Sequence, residues 1–351
     1  MEHTAFVAKK ARGKKGPHIA ARIQCVKFLR AIPIPARLSQ RQRKNIARRH
    51  ASTKVESVCR VKEEDVGPVR FYDVDAEDKP ALDGTEVKLD ISTLRRIEAS
   101  HKTEHVVVLG RDGSDGEPQF ICAKLSSREC AEINTGKWEK MLNTFSNVLK
   151  KKPCAKRGKT KVADYKHYVC AGFRKDPLGK DVSKYAYKPT VNPETCDALD
   201  DELAWCSEQL EAISRRAFAR KDLKSFRALQ SKFGLPRVGD DVHGVATQFA
   251  IGLNYSSLNH TDDDFFYTTL AVARKSGPPP TTETERLLLQ FFCFPDYGIA
   301  IPLREGDILV FNPLVGHGCS NPRTADSLIF SCYVSSKTVC TRASVKKDGV
   351  L

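Results

Sequence analysis

No run of eighteen apolar residues occurs in this 351-residue chain, so no membrane-spanning helix is expected. The opening Met1-Glu-His-Thr-Ala5 turns basic without the apolar stretch of a secretory signal. None of the twelve cysteines forms a Cys-x-x-Cys pair or a zinc-finger spacing. They read as free thiols in a reducing compartment, and an intracellular location is the expectation. No segment repeats. These absences exclude a helical membrane protein, a disulfide scaffold, a zinc finger and a solenoid.

Positive charge is abundant and uneven. Residues 1–60 hold sixteen Lys and Arg against Glu2 and Glu56, and residues 150–188 hold thirteen against three Asp. Of the net +15, the first segment carries +14 and the second +10, which leaves the rest of the chain at about −9. Clustered cations favour polyanions, so nucleic acid is the partner expected for both segments. The plainer reading is a solvated tail that serves solubility or nuclear import, for which Lys9-Lys-Ala-Arg-Gly-Lys-Lys15 is a suitable run.

Local patterning gives an α+β outline. A basic helix fits Arg37–Arg49. Residues 105–110 and 119–125 read as strands joined by a turn-rich loop. A helix running from a Ser126 or Ser127 cap to about Leu149 has Trp138, Met141, Leu142, Phe145 and Val148 on one face. A long helix is expected from Pro193, capped by Asn192, to about 218, and a short one over Lys224–Phe233. After Gly239 the chain becomes a series of short strands near 245–255, 265–272, 287–294, 298–303, 307–311 and 327–334, the texture of a sandwich or barrel. The expected organisation is a basic arm (1–66), an α+β supporting region (67–190) with a basic insert (150–188), a β-domain with a leading helix (191–340) and a tail (341–351).

Chemistry-bearing residues concentrate in the β-domain. His260 and Asp262 are two apart, so on an extended strand they share a face. His317 follows 57 residues later in Gly306-Asp-Ile-Leu-Val-Phe-Asn-Pro-Leu-Val-Gly-His317. Two imidazoles and a carboxylate on one side of an ion leave its other positions open, the facial triad of non-haem iron oxygenases. Of the three aspartates after Thr261, Asp262 is the nearest on the correct face. Asp263 points away, and Asp264 is placed to orient an imidazole. The plain reading is a loop hydrogen bond at His260–Asp262 and a turn at Gly316-His-Gly318.

Residues 240–340 resemble the double-stranded β-helix, or jelly roll, of the iron(II)- and 2-oxoglutarate-dependent oxygenases. The resemblance rests on His260-x-Asp262, the distal His317 and the Gly306-Asp307 turn. It implies a double-stranded β-helix core supported by helices, with Fe(II) on His260, Asp262 and His317. It further implies 2-oxoglutarate as co-substrate, converted to succinate and carbon dioxide as a substrate C–H bond is oxidised. The family places a cation about ten residues after the distal histidine to hold the far carboxylate of 2-oxoglutarate. Here that position is Ser327. Arg323 is the chosen anchor, with Lys337 and Arg304 as substitutes, and Ser327 and Ser331 share a strand face from which both could donate. Asn254 and Tyr255, ahead of the first ligand, match positions that touch the co-substrate in related enzymes. Phe265, Phe266 and Tyr267 read as core packing or as a clamp for a flat base.

The expected function is therefore a dioxygenase acting on a macromolecule, a nucleic-acid base being favoured over a protein side chain. One alternative is a non-catalytic, basic nucleic-acid-binding protein, derived from a mobile element, with the β-domain as scaffold. Another is a cupin-like metal enzyme that needs no oxo acid.

Overall fold

The computed structural model describes residues 69–75, 94–99, 105–111, 119–125, 137–154, 163–164, 167–176, 181–214, 230–231, 234–238, 246–262, 264–276, 282, 285–335, 338 and 341. The arm 1–66, the expected Arg37–Arg49 helix, most of the expected helix over Lys224–Phe233, Asp263 and Lys337 lie outside these residues.

The described residues form a mostly β, α+β structure with two α-helices. In chain order the elements are β1 (Val69–Asp75), β2 (Arg95–Arg96), β3 (His105–Arg111), β4 (Gln119–Lys124), α1 (Trp138–Lys151), β5 (Ala163–Asp164), β6 (His167–Lys175), β7 (Val182–Lys184) and α2 (Pro193–Ser214). There follow β8 (Gln248–Leu253), β9 (Ser256–Ser257), β10 (Phe265–Arg274), β11 (Leu288–Phe294), β12 (Ile299–Arg304), β13 (Ile308–Phe311), β14 (Gly318–Cys319) and β15 (Ser327–Val334). Nine strands make one sheet in the order β1-β3-β4-β13-β10-β15-β8-β6-β7, and four make a second, β14-β11-β12-β2. β6 and β7 fall within the basic stretch 150–188 and take their places in the large sheet.

Period-two alternation divides the large sheet's side chains between two cores. Leu328, Phe330 and Cys332 of β15, Tyr267, Ala271 and Ala273 of β10, and Ile308 and Val310 of β13 face the helices. Ile329, Leu270, Val272, Leu309 and Phe311 face the small sheet and meet Phe292, Phe294, Ile301 and Leu303.

Helix α1 covers the outer core because Trp138, Met141, Leu142, Phe145, Val148 and Leu149 recur with helical spacing and are all buried. The Phe145 ring lies 4.2 Å from that of Phe330. The helix begins at Trp138 with Lys137 in the cap position and no side-chain cap, and Ser126 and Ser127 lie outside the described residues. Glu139 in its first turn and Lys150 and Lys151 in its last suit the helix dipole. At the start of α2, Asn192 Oδ1 accepts the Thr195 N–H at 2.9 Å and Pro193 occupies the first turn, where its missing N–H costs nothing.

The turn into β13 is held by charge. Gly306 has φ +82°, a conformation that needs glycine, and its N–H reaches Val272 O at 2.8 Å. Asp307 is completely buried. Lys124 Nζ pairs with it at 2.7 Å, Arg286 pairs with its other oxygen, and the Arg304 N–H donates at 2.8 Å. Burial alone pushes the Asp307 carboxyl up, but the two cations and the hydrogen bonds together hold it below its ordinary value.

Candidate metal centre

The chain leaves β8 through Asn254, whose φ of +52° is the one positive value at a non-glycine among the described residues. Asn254 holds the loop before β15, with its N–H on Ser327 O at 2.8 Å and its Nδ2 on Ala325 O at 2.6 Å. Through these bonds it shapes a turn. Tyr255, expected beside it as a co-substrate contact, packs between the sheets with its ring 5.5 Å from that of Tyr168.

His260 and His317 form an antiparallel bridge, each N–H donating to the other's carbonyl at 2.9 Å. Side chains of such a pair stand side by side, and the two rings lie 4.6 Å apart. The His317 ring also stacks on Phe292 at 5.4 Å, with 13° between planes, and touches Phe311 at 4.8 Å. Asp262 is tied in place by its N–H, which reaches Pro313 O at 2.9 Å. Gly316 is required ahead of His317, because a Cβ there would stand 2.5 Å from Asp296 Oδ2.

The imidazoles are oriented by main chain. His260 Nδ1 lies 2.8 Å from Leu258 O, and His317 Nδ1 lies 2.8 Å from Val315 O. A carbonyl only accepts, so this geometry assigns the proton of each ring to Nδ1 and puts the lone pair of each on Nε2. Those two lone pairs converge with the Asp262 carboxylate: His260 Nε2 is 3.7 Å from Oδ1 and His317 Nε2 is 3.4 Å from Oδ2. A charge-assisted N–H···O bond would be about 2.7–2.9 Å. Two donors bound to one cation at about 2.1 Å stand about 3.0–3.4 Å apart. The spacing is therefore closer to that of co-ligands than to that of an ion pair. All three ligand atoms lie within 4.8 Å of one another, His317 buried and Asp262 open to solvent. The donor set, two imidazole nitrogens and a carboxylate, fits a divalent ion.

Other expected contributors fall elsewhere. The orienting acceptors are the carbonyls of Leu258 and Val315, the role anticipated for Asp264. The Asp264 charge instead acts on the buried Tyr333 phenol, which burial chiefly pushes up. Arg323 is exposed and its guanidinium lies over the ring of Phe291 at 5.8 Å, with Arg96 over the same ring at 5.1 Å. Phe291 belongs to the outer face of the small sheet and Phe292, under His317, to the inner one. By strand alternation Arg323 is thus on the far side of the sheet from the triad. Arg304 also lies outward and pairs with Glu98 at 3.4 Å. Tyr267 faces the helix-side core, edge-on to Phe120 at 4.8 Å, so it does not clamp a base beside the triad. Ser327 is buried between the sheets, its Oγ 3.4 Å from Gln290 Oε1. Gln290 carried no motif in the sequence, and only its position in a run of apolar strand residues could have marked it.

No protein-family profile matches this chain, and no curated protein matches it. Among solved structures it is similar to NgTET1 in complex with 5mC DNA, with 14% identity, coverage of 81% of this chain and 91% of that one, and a TM-score of 0.43. A likeness of that size carries no argument about chemistry, which rests on the geometry above. Among the described residues, no helix is long and apolar enough to cross a membrane.

Proposed function

We propose that this chain is an iron(II)- and 2-oxoglutarate-dependent dioxygenase that oxidises a C–H bond of a macromolecule, a nucleic-acid base in preference to a protein side chain. In this reading the two facing sheets are a double-stranded β-helix, residues 1–66 are a separate basic arm, and His260, Asp262 and His317 hold the iron. The observation that carries the reading is the pair of Nδ1–carbonyl contacts, which present two imidazole lone pairs and one carboxylate to a common point. Bound iron with 2-oxoglutarate and oxygen supplies the oxidation. The chain's own residues do the rest. Leu258 O and Val315 O hold the imidazoles in the ligating tautomer. Phe292 and Phe311 exclude water behind His317. Asp262, the most open of the three, faces the side from which substrate enters. The positive charge of 1–60 and 150–188 supports nucleic acid as the substrate class.

The test is anaerobic titration of the protein with iron(II) and 2-oxoglutarate. The expected result is a weak visible charge-transfer band, lost in His260→Ala, together with succinate formation on admission of oxygen. A protein that takes up no iron, yet binds nucleic acid with a steep salt dependence, is the non-catalytic binding protein that the basic segments also suit. Oxygen uptake without an oxo acid points to the cupin-like enzyme.

A further inference from the structure

Leu314 stands in the turn between β13 and the distal histidine. Every residue from Glu305 to Ser320 is buried except this one, which is 60% exposed. A single open leucine is ordinary on a protein surface. Leu314 is set apart by how firmly it is held there and by what it stands beside.

The turn is anchored from below. The Asn312 N–H donates to Ile121 O at 2.8 Å and its Nδ2 donates to Phe120 O at 3.2 Å, which ties the turn to β4. Asn312 Oδ1 accepts the Leu314 N–H at 3.1 Å, and Asn312 O accepts the Val315 N–H at 3.2 Å. Pro313, its φ set by the ring, leads directly into Leu314. The leucine backbone therefore cannot swing away without breaking these bonds. Its two neighbours serve the candidate centre. Pro313 O accepts the Asp262 N–H at 2.9 Å, and Val315 O lies 2.8 Å from His317 Nδ1. The Pro313 bond places the Leu314 Cα within about 6 Å of the Asp262 nitrogen. Thr261 and Asp262 are also open to solvent, so the leucine stands at the rim of the centre.

The fold leaves the burial of this side chain unrealised, and a partner that covers it gains that burial. We infer, resting on the nucleic-acid reading of the centre, that Leu314 is a wedge that enters the base stack of a duplex beside the base to be oxidised. A base inside a duplex is out of reach of a metal held between two sheets, so it must be extruded. Extrusion leaves a gap in the stack. An apolar side chain on a support that does not yield fills the gap and keeps the base from returning. The positive charge of 1–60 and 150–188 suits phosphates, but phosphate contacts alone do not unstack bases. A protein side chain as substrate would need no such wedge.

The experiment uses the full chain loaded with manganese(II), which reads binding without turnover. The probes are short DNA duplexes in which 2-aminopurine flanks each of the four bases in turn, and unstacking raises its fluorescence. With the parent, at least one duplex is expected to brighten about threefold or more. Leu314→Ser should remove most of that rise and weaken that duplex about five- to tenfold at fixed salt. It should change affinity for the matching single strand less than about twofold, since a single strand has no pairs to open. Leu314→Phe should keep both properties. Leu287, 46% exposed and about 16 Å along the chain from Phe292, is the control, and Leu287→Ser should match the parent. Manganese affinity and melting temperature should be unchanged in all three variants. An unchanged rise in Leu314→Ser, equal weakening of duplex and single strand, or a parent that brightens no duplex overturns the wedge. Manganese binding in the same samples leaves the dioxygenase reading standing. A parent that binds no manganese overturns both.

Discussion

His260 and His317 exchange backbone hydrogen bonds at 2.9 Å in both directions, so the separation of two imidazoles 57 residues apart is fixed by main chain. The candidate centre is thereby organised by the fold itself, and Asp262, more than one-third exposed, is its most open side chain.

Replacing Asp262 should accordingly remove metal without removing the fold. Asp262→Asn is expected to lower manganese(II) affinity on the order of 100-fold or more, read by calorimetry. The parent should gain about 2.7 kcal/mol of stability at manganese concentrations near 100 times the dissociation constant. The variant should gain almost none at the same concentration, and its metal-free melting temperature should match the parent's.

Asp307 tests the opposite case, a charge that serves the fold. Asp307→Ala leaves Lys124 and Arg286 buried without their shared partner and should cost about 3–5 kcal/mol in urea unfolding. Because the folded carboxyl titrates below its unfolded value of about 3.9, its contribution is complete above that pH. It is lost as pH falls from there through the folded value. The gap between parent and variant should therefore close in acid.

Lys152 is fully buried at the end of α1. Its Nζ donates to Tyr185 O at 2.7 Å and lies 3.4 Å from the centre of the Tyr187 ring. Burial is the main cause that lowers its ammonium to about 8. The folded state thus releases this proton before the unfolded state does, and stability from this group rises with pH between about 8 and the unfolded value of about 10.4. The full effect is on the order of 3 kcal/mol. The stability of the parent minus that of Lys152→Met should increase over that range. A flat difference would show that the ammonium is solvated.

Thiol reactivity should separate by position. Burial pushes Cys206 and Cys293 up to about 12, and Cys122 and Cys319 higher still, whereas Cys154 is exposed. Brief labelling at neutral pH followed by peptide mapping should modify Cys154 and spare the other four until denaturant is added.

Much of the β-domain was legible because its signals are local. Alternation and turn residues located β10, β11, β12, β13 and β15 to within about two residues but gave no sign of β14, and parity alone set His260 and Asp262 on one face. Asn192 and Pro193 announced the start of α2. What was not legible depended on pairing between distant segments. The adjacency of β4 and β13, or of β6 and β8, is a matter of register between strands far apart in the chain. The position of Arg323 was hidden for the same reason: its face is set by Phe291 of another strand. The orienting carbonyls of Leu258 and Val315 are main-chain atoms and have no sequence signature at all. The burial of Gln290 likewise follows from strand pairing and has no local signal.

The placement of β15 between β10 and β8 bears on how the protein is made. Until residues 327–334 emerge from the ribosome, the large sheet exists as two halves, each offering a long unpaired edge to any extended chain nearby. Closure of that gap brings Ser327 to Gln290 and completes the inner wall beyond the triad. Nascent chains stalled short of this strand are thus the form of the protein most exposed to aggregation.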